Sequence, residues 1–498
     1  MITKIFGPPG SGKTTYLLET VAKELEAGTH SADIGYFAFT RKAAHEARGR
    51  AIEKFPHLNA DIDFPWFRTL HSLAYSCLGV ESKDLLSAKD YAEFAKSVGL
   101  DVATSTDGDD FVIRADNAIL NEINIARIRG KDLQAHYNES SLEIEWFHFE
   151  YIERSYRKFK EAKMLMDFTD LLELLVQDPE RLPTLQALII DEAQDLSKLQ
   201  WTLVMQLAER AQRIWIAGDD DQALYIWAGA DVESFLSCEG EIRVLNQSYR
   251  VPSKVHSFAD KIVRRIQKRQ PKEWAPRTEG GEINYYNDFQ QVDISSGQWL
   301  VMAATNYMLN DMHEWIKSQG LLFERHGHKS ISEAILTAVI GWERLRAGKE
   351  INYSMLQQVY RYLGAGTVKR GHKTLKDADP EGMFSMEGLK EKHGLQTEAI
   401  WHEALGKIGE DKRDYLVAVL RRGTKLTAKA PIQLSTIHGA KGGEADNVVL
   451  FTDLTVAAEQ TLETNPDALH RVFYVAVTRT RENLFTVSPE NFYRSYPL

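Results

Sequence analysis

The stretch Gly7-Pro8-Pro9-Gly10-Ser11-Gly12-Lys13-Thr14-Thr15 gathers three glycines, a lysine and several hydroxyls into one short segment. Gly7, Gly10 and Gly12 keep such a loop free of side chains, so backbone N–H groups can point at phosphate oxygens. Lys13 is placed to reach the β- and γ-phosphates of a nucleoside triphosphate, and the Thr14 hydroxyl to ligate Mg²⁺. Far downstream, Asp191-Glu192 supplies the complementary pair. One carboxylate holds the metal, directly or through water, and the other orients and deprotonates water.

Particular elements must position these groups. The apolar Ile2, Ile5 and Phe6 before the loop predict a strand. Tyr16, Leu17, Leu18 and Val21 after it predict a helix, whose N-terminus adds positive potential. Leu185 to Ile190 is almost continuously apolar, the pattern of a buried parallel strand that delivers Asp191 at its end. Thr40, and Thr69 with His71, each follow a β-rich run and precede a helix, which is where an open α/β sheet presents groups to ligands. Further strands are expected over 213–217, 241–245, 283–286, 299–304, 431–438, 447–451 and 484–487, with a helix over 469–477. Residues from about 80 to 160 and from 330 to 428 are polar and helical in pattern. A loop is expected at 104–110, and a Gly/Lys-rich loop at 364–378. The fold class is α/β, with two cores each interrupted by a mainly helical insertion.

At 498 residues the chain is too long for a single core. No stretch approaches the 18 or so apolar residues a membrane span needs, which argues against a membrane partner. Gly7-Pro8-Pro9-Gly10 follows Met1 too closely for a secretory signal, and Cys77 and Cys238 make neither a disulfide framework nor a zinc cluster. A cytoplasmic protein is expected. The net charge of −11 argues against a surface coated in positive charge. It leaves room for a local basic and aromatic groove that grips single strands.

Nine segments in order resemble the UvrD/Rep/PcrA group of superfamily 1 helicases. They are the glycine loop, Thr40-Arg41-Lys42-Ala43-Ala44, Thr69-Leu70-His71-Ser72, Asp167-Phe168-Thr169-Asp170-Leu171-Leu172, Asp191-Glu192-Ala193-Gln194-Asp195, Gly218-Asp219-Asp220-Asp221-Gln222, Gln247-Ser248-Tyr249-Arg250, Thr436 to Glu444, and Tyr474 to Arg479. The resemblance implies two RecA-like P-loop cores, with boundaries expected at 1–78, 163–272, 273–329 and 429–498 and insertions at 79–162 and 330–428. It implies an ATP- and Mg²⁺-dependent motor moving 3′→5′ along single-stranded DNA and separating duplexes in replication or repair. Single strands and strand–duplex junctions would be its partners, with replication or repair proteins beside them, and the chain a monomer in solution.

By the same resemblance Gln222 senses the γ-phosphate, and Arg250 and Arg479 offset charge developing in the transition state. Tyr249 stacks on the base and Glu444 contacts the ribose. Phe39, Tyr225 and Trp227 pack against DNA bases, His438 lies beside the strand, and Thr40, Thr69, His71 and Thr436 contact its backbone. Outside that pattern a core aromatic is the better reading of Phe39 and a surface arginine of Arg250, while Trp227 reads equally well either way. Departures are visible: the family's adenine-reading glutamine has no counterpart upstream of Gly7, Thr15 replaces a common arginine, and Ala228 replaces the arginine after the tryptophan. Relaxed base selectivity and a weaker DNA grip are the expectations. A nuclease domain after the last motif is not expected. The alternative reading is a DNA-dependent ATPase serving as a regulatory or binding module.

Overall fold

The apolar runs become two mostly parallel sheets. The structure, a computed structural model, describes residues 2–106, 113–277, 280–489 and 494–498. The chain divides into two compact units, Met1–Gly280 with Gln460–Thr478, and Gly281–Glu459 with Arg479–Leu498.

The first sheet uses β1 (Ile2–Phe6), β2 (Ile34–Phe37) and β3 (Phe67–Arg68). A hairpin follows in the insertion, β4 (Ala103–Thr106) with β5 (Ile113–Asp116). The sheet then continues with β6 (Leu185–Ile190), β7 (Ala211–Gly218) and β8 (Glu241–Val244). Its order is β3-β2-β6-β7-β1-β8, with every neighbour parallel. Alternation along the strands divides the core into two faces. Phe6, Phe37, Leu188, Ile190 and Ile216 meet the helices 70–78, 168–177 and 198–209. Ile5, Ile34, Tyr36, Ile189 and Ala217 meet the helices 13–26 and 41–54. The insertion builds a separate core from Leu86, Phe94, Leu120, Ile123, Phe149 and Ile152.

The hairpin corrects one expectation. Residues 104–106 lie in a paired strand rather than a loop, and 107–110 fall outside the described residues. β-branched Thr104 and Thr106 favour extended backbone, which the polar composition of the segment conceals.

In the second unit come β9 (Glu282–Tyr286), β10 (Trp299–Ala303), β11 (Phe323–Arg325), β12 (His328–Lys329) and a two-stranded pair, β13 (Ile351–Asn352) with β14 (Met383–Phe384). After these come β15 (Ile432–Thr436), β16 (Ala445–Phe451) and β17 (Thr480–Val487). The sheet order is β12-β11-β15-β10-β16-β17-β9, parallel except at the β11–β12 edge. Here sheet and insertion share a single core that runs from Val301, Ile432 and Val449 to Trp342, Leu389 and Trp401.

The helix Pro466–Val477 packs within the first unit, although the sequence assigns all of 429–498 to the second core. Arg471 Nε donates to the Asp220 carbonyl at 2.8 Å. The Asp467 carboxylate accepts from the N–H groups of Gln267 and Lys268 at 2.8 and 2.9 Å. These polar groups are buried, so the helix is held where their partners lie. No helix among the described residues is long and apolar enough to cross a membrane.

Candidate active site

Register brings the functional residues to one edge of the first sheet. Phe6 pairs with Gly218 and Phe37 with Ile190, so β1, β2, β6 and β7 end level with one another. Ligands of open α/β sheets bind at this carboxyl edge.

The glycine loop closes between β1 and the helix Lys13–Glu26. Gly7 N–H donates to the Gly218 carbonyl at 3.0 Å, which anchors the loop to β7. Gly10 and Gly12 sit at φ 70° and 75°, a region that favours glycine. A Cβ at Gly10 would also collide with Arg250 Cβ, so this glycine admits a second segment. That segment is fastened by Tyr249 N–H to the Gly10 carbonyl at 2.8 Å and by the Ser248 hydroxyl to the Pro9 carbonyl at 2.7 Å. Tyr249 is left 69% exposed over the loop.

Lys13 Nζ pairs with Glu192 Oε1 at 2.8 Å. Burial alone would lower the Lys13 pKa, but Glu192 and Asp191 outweigh it and hold the ammonium well above its ordinary value. Asp191 Oδ2 accepts from Tyr36 OH at 2.9 Å and from Thr14 Oγ1 at 3.4 Å. Burial pushes the Asp191 carboxyl above its usual range, against Lys13 and with Glu192 adding to the rise. A buried carboxylate beside a threonine hydroxyl is a set of hard oxygen donors, which fits Mg²⁺. Glu192 has φ 55°, a left-handed conformation costing on the order of 1–3 kcal/mol for a non-glycine residue. Gln194 Nε2 holds its other carboxylate oxygen at 2.5 Å.

Gln194 is fully buried and bridges two loops, a part that the segment Asp191–Asp195 does not assign it in the sequence. Its Oε1 also accepts from Asp219 N–H at 2.9 Å, tying the loop after β6 to the loop after β7. Gln222 Nε2 donates to Asp219 Oδ2 at 2.6 Å. The carboxylates of Asp219, Asp220 and Asp221 lie close enough to share a cation, but Lys272 Nζ is already among them. It stands 2.9 Å from Asp219 and 2.8 Å from Asp221, and pairs with Asp220 as well. Burial, with Asp221 and Asp219 adding, pushes Asp220 up to about 6 against the pull of Lys272. Nothing in the local sequence around Lys272 signals this partnership.

The other end of the edge carries the candidate DNA residues. Phe39, beyond β2, stacks on Tyr225 with centroids 5.3 Å apart and planes 22° from parallel. Trp227 is 65% exposed. Thr40 Oγ1 accepts from Ala43 N–H and Thr69 Oγ1 from Ser72 N–H, each at 3.2 Å, so both cap helix N-termini. His71 meets Phe168 edge-on at 6.0 Å. The turn carrying Trp227 is held by the insertion: Arg129 Nη2 donates to the Ile226 carbonyl at 2.9 Å. A Cβ on Gly229, at φ 97°, would press on Ile128 Cδ1 at 2.6 Å.

Four of the sequence-predicted residues belong to the second unit. Thr436 Oγ1 accepts from Gly439 N–H at 3.1 Å, and His438 is half-buried beyond β15. Glu444 pairs with Arg481 Nη1 at 2.9 Å. Arg479 is buried, with Nη1 3.4 Å from the Gly443 carbonyl.

Parallel sheets, a glycine loop between strand and helix, and a facing acidic pair define a P-loop protein with RecA-like domains. Comparison with known proteins narrows this. Residues 2–243 match the UvrD/REP helicase N-terminal domain and residues 431–487 the UvrD-like helicase C-terminal domain. The chain belongs to the UvrD/Rep family of superfamily 1 helicases. It is 27% identical over 385 residues to the ATP-dependent DNA helicase PcrA of Bacillus subtilis (strain 168), covering 71% of this chain and 50% of that protein. Against PcrA of Staphylococcus epidermidis (strain RP62A) it is 27% identical over 317 residues, 58% of this chain and 42% of that one. Against PcrA of Staphylococcus aureus (strain Mu50) it is 26% identical over 314 residues, with the same shares. The chain thus spans half the length, or less, of these relatives.

Proposed function

We propose that this chain is an ATP-dependent DNA helicase that moves 3′→5′ along single-stranded DNA and separates duplexes. The observation that carries the reading is the order of groups along one sheet edge. The nucleotide residues follow β6, β7, β1 and β8, while Phe39 and the capping Thr40 follow β2 and the capping Thr69 follows β3. The loop after β7 reaches from one set to the other, with Gln222 tied to Asp219 and Tyr225 stacked on Phe39 three residues later.

In this reading the phosphates of ATP take Lys13 from Glu192, leaving that carboxylate to accept the proton of the attacking water. Asp191 and Thr14 hold Mg²⁺, which neutralises phosphate charge. Gly7, Gly10, Ser11, Gly12 and Thr15 shape the loop. Arg250 and Arg479 offset transition-state charge, Tyr249 stacks on the base, and Glu444 binds the ribose. Phe39, Tyr225 and Trp227 take up bases of a single strand through stacking, which ignores sequence. Thr40, Thr69, His71, Thr436 and His438 position its backbone.

The test is unwinding of 3′-tailed against 5′-tailed duplexes by the wild type and by Glu192→Gln. Unwinding of the 3′-tailed substrate alone is expected, and Glu192→Gln should keep ATP binding while losing about 10²–10⁴-fold in turnover. Lys13→Ala should lose both. Strand-stimulated hydrolysis without unwinding of either substrate would favour the regulatory ATPase instead, and wild-type turnover in Glu192→Gln would remove the assigned base.

A further inference from the structure

Of the four residues of β2, Ile34-Gly35-Tyr36-Phe37, only Tyr36 carries a polar side-chain group, and it is fully buried. Phenylalanine would fill the same apolar face and leave no hydroxyl to satisfy. A buried phenol needs a partner, and this one has a carboxylate. Tyr36 OH donates to Asp191 Oδ2 at 2.9 Å.

The sheet explains the meeting. Tyr36 pairs in register with Ile189, and Asp191 N–H donates to the Phe37 carbonyl at 2.9 Å, so β2 and the end of β6 stay together as far as Asp191. The ring is walled in on its other side. It stacks on Phe67, its register partner in β3, with centroids 5.3 Å apart and planes 19° from parallel. Phe64 meets Phe67 edge-on at 4.8 Å, and Tyr36 N–H donates to the Trp66 carbonyl at 3.0 Å. A ring packed in this way holds its hydroxyl in one place.

Asp191 is thereby held at both oxygens. Oδ1 accepts from Glu192 N–H at 2.9 Å. Oδ2 takes the phenol and, at a longer 3.4 Å, the Thr14 hydroxyl. The two shorter bonds fix the plane of the carboxylate, and the long one is the weakest of the three. Mg²⁺ demands near-ideal octahedral geometry, whereas Ca²⁺ accepts flexible arrangements of oxygen ligands. A carboxylate fixed in its plane serves the first cation more than the second.

We propose that Tyr36 is a positioning residue for the metal-binding carboxylate: its phenol fixes Asp191 beside the Thr14 hydroxyl, and the fixed pair favours Mg²⁺ over Ca²⁺. The inference rests on the proposed role of Asp191 as a metal ligand, and the experiment tests that role separately.

A non-hydrolysable ATP analogue is titrated into the full chain by calorimetry in EDTA, in saturating Mg²⁺ and in saturating Ca²⁺. The ratio of affinities with and without each metal is the coupling of that metal to the nucleotide. Association of metal and analogue in solution is common to all variants and cancels between them. Tyr36→Phe keeps the ring and removes only the hydroxyl. It should leave the affinity in EDTA at the wild-type value and cut the Mg²⁺ coupling about tenfold, the scale of one lost hydrogen bond to a charged group. The Ca²⁺ coupling should fall less, so the preference for Mg²⁺ shrinks. Asp191→Asn should lose most of the coupling to either metal. If Asp191→Asn keeps the wild-type coupling, Asp191 is no metal ligand and the inference falls with that assignment. If Asp191→Asn loses it while Tyr36→Phe keeps it, or loses it equally for both cations, the inference alone is overturned. An affinity in EDTA that falls as far as the affinity in Mg²⁺ makes Tyr36 a packing residue and overturns it too.

Discussion

The two insertions are fastened to their sheets in opposite ways. The first has its own apolar core and meets the sheet domain through charge. Arg127 donates to Asp167 at 2.7 Å, to Asp170 at 2.6 Å and to Glu173 at 2.7 Å, and Lys160 joins Asp167 and Asp170 at 2.7 and 2.6 Å. The second shares its core with the sheet: among the described residues, Trp342 and Leu389 belong to the same apolar cluster as Val301 and Ile432. A polar attachment is directional and fails when one partner is lost; an apolar one is tolerant and fails by degrees. The first insertion also holds the turn of Trp227, where direction matters.

The comparison breaks most visibly at Arg127. Arg127→Met leaves Asp167 and Asp170 to Lys160 alone and strips Glu173 of its cation, and should cost about 3–5 kcal/mol, as buried pairs do when one partner is removed. Hydrogen exchange should show helices 118–128 and 146–163 losing protection while β6 and β7 keep theirs. Equal loss across the unit would mean that the insertion is not separately fastened. Trp342→Ala, truncating a fully buried ring, should cost a similar or slightly smaller amount, about 3–5 kcal/mol. There the sheet strands β10 and β15 should lose protection together with helix 333–346, because they share one core. Arg129→Ala sharpens the functional side. It removes a charge-assisted bond of about 1.5–3 kcal/mol, and single-strand affinity should fall by part of what Trp227→Ala costs. Trp227→Ala itself should weaken that affinity by about 1–3 kcal/mol in a binding titration, with hydrolysis in the absence of DNA unchanged.

What the sequence makes legible follows from how local each signal is. The strand ending at Ile190 and the glycine loop are visible because apolar continuity and glycine spacing are written in adjacent residues. Thr40 and Thr69 are visible as rim residues, yet their capping of the helices behind them is the contact the structure describes. Lys272 amid three aspartates joins segments far apart in the chain that no local pattern links, and Gln194, though it stands in a quoted segment, reveals its bridge to Asp219 only in the fold. The pairing of β4 with β5 was hidden in a polar stretch whose only clue is β-branched threonine.

The placement of helix 466–477 bears on how the protein is made. The first unit buries Arg471 and the carboxylate of Asp467 against segments ending at residue 280, yet the helix is synthesised roughly 200 residues later. At about 5–20 residues per second, a ribosome needs on the order of 10–40 s to cover that interval. Throughout it the nascent first unit lacks the helix that packs against Ser253–Val263. Its completion therefore lags its sheet by that interval, and a domain whose strands are finished early waits for one late helix.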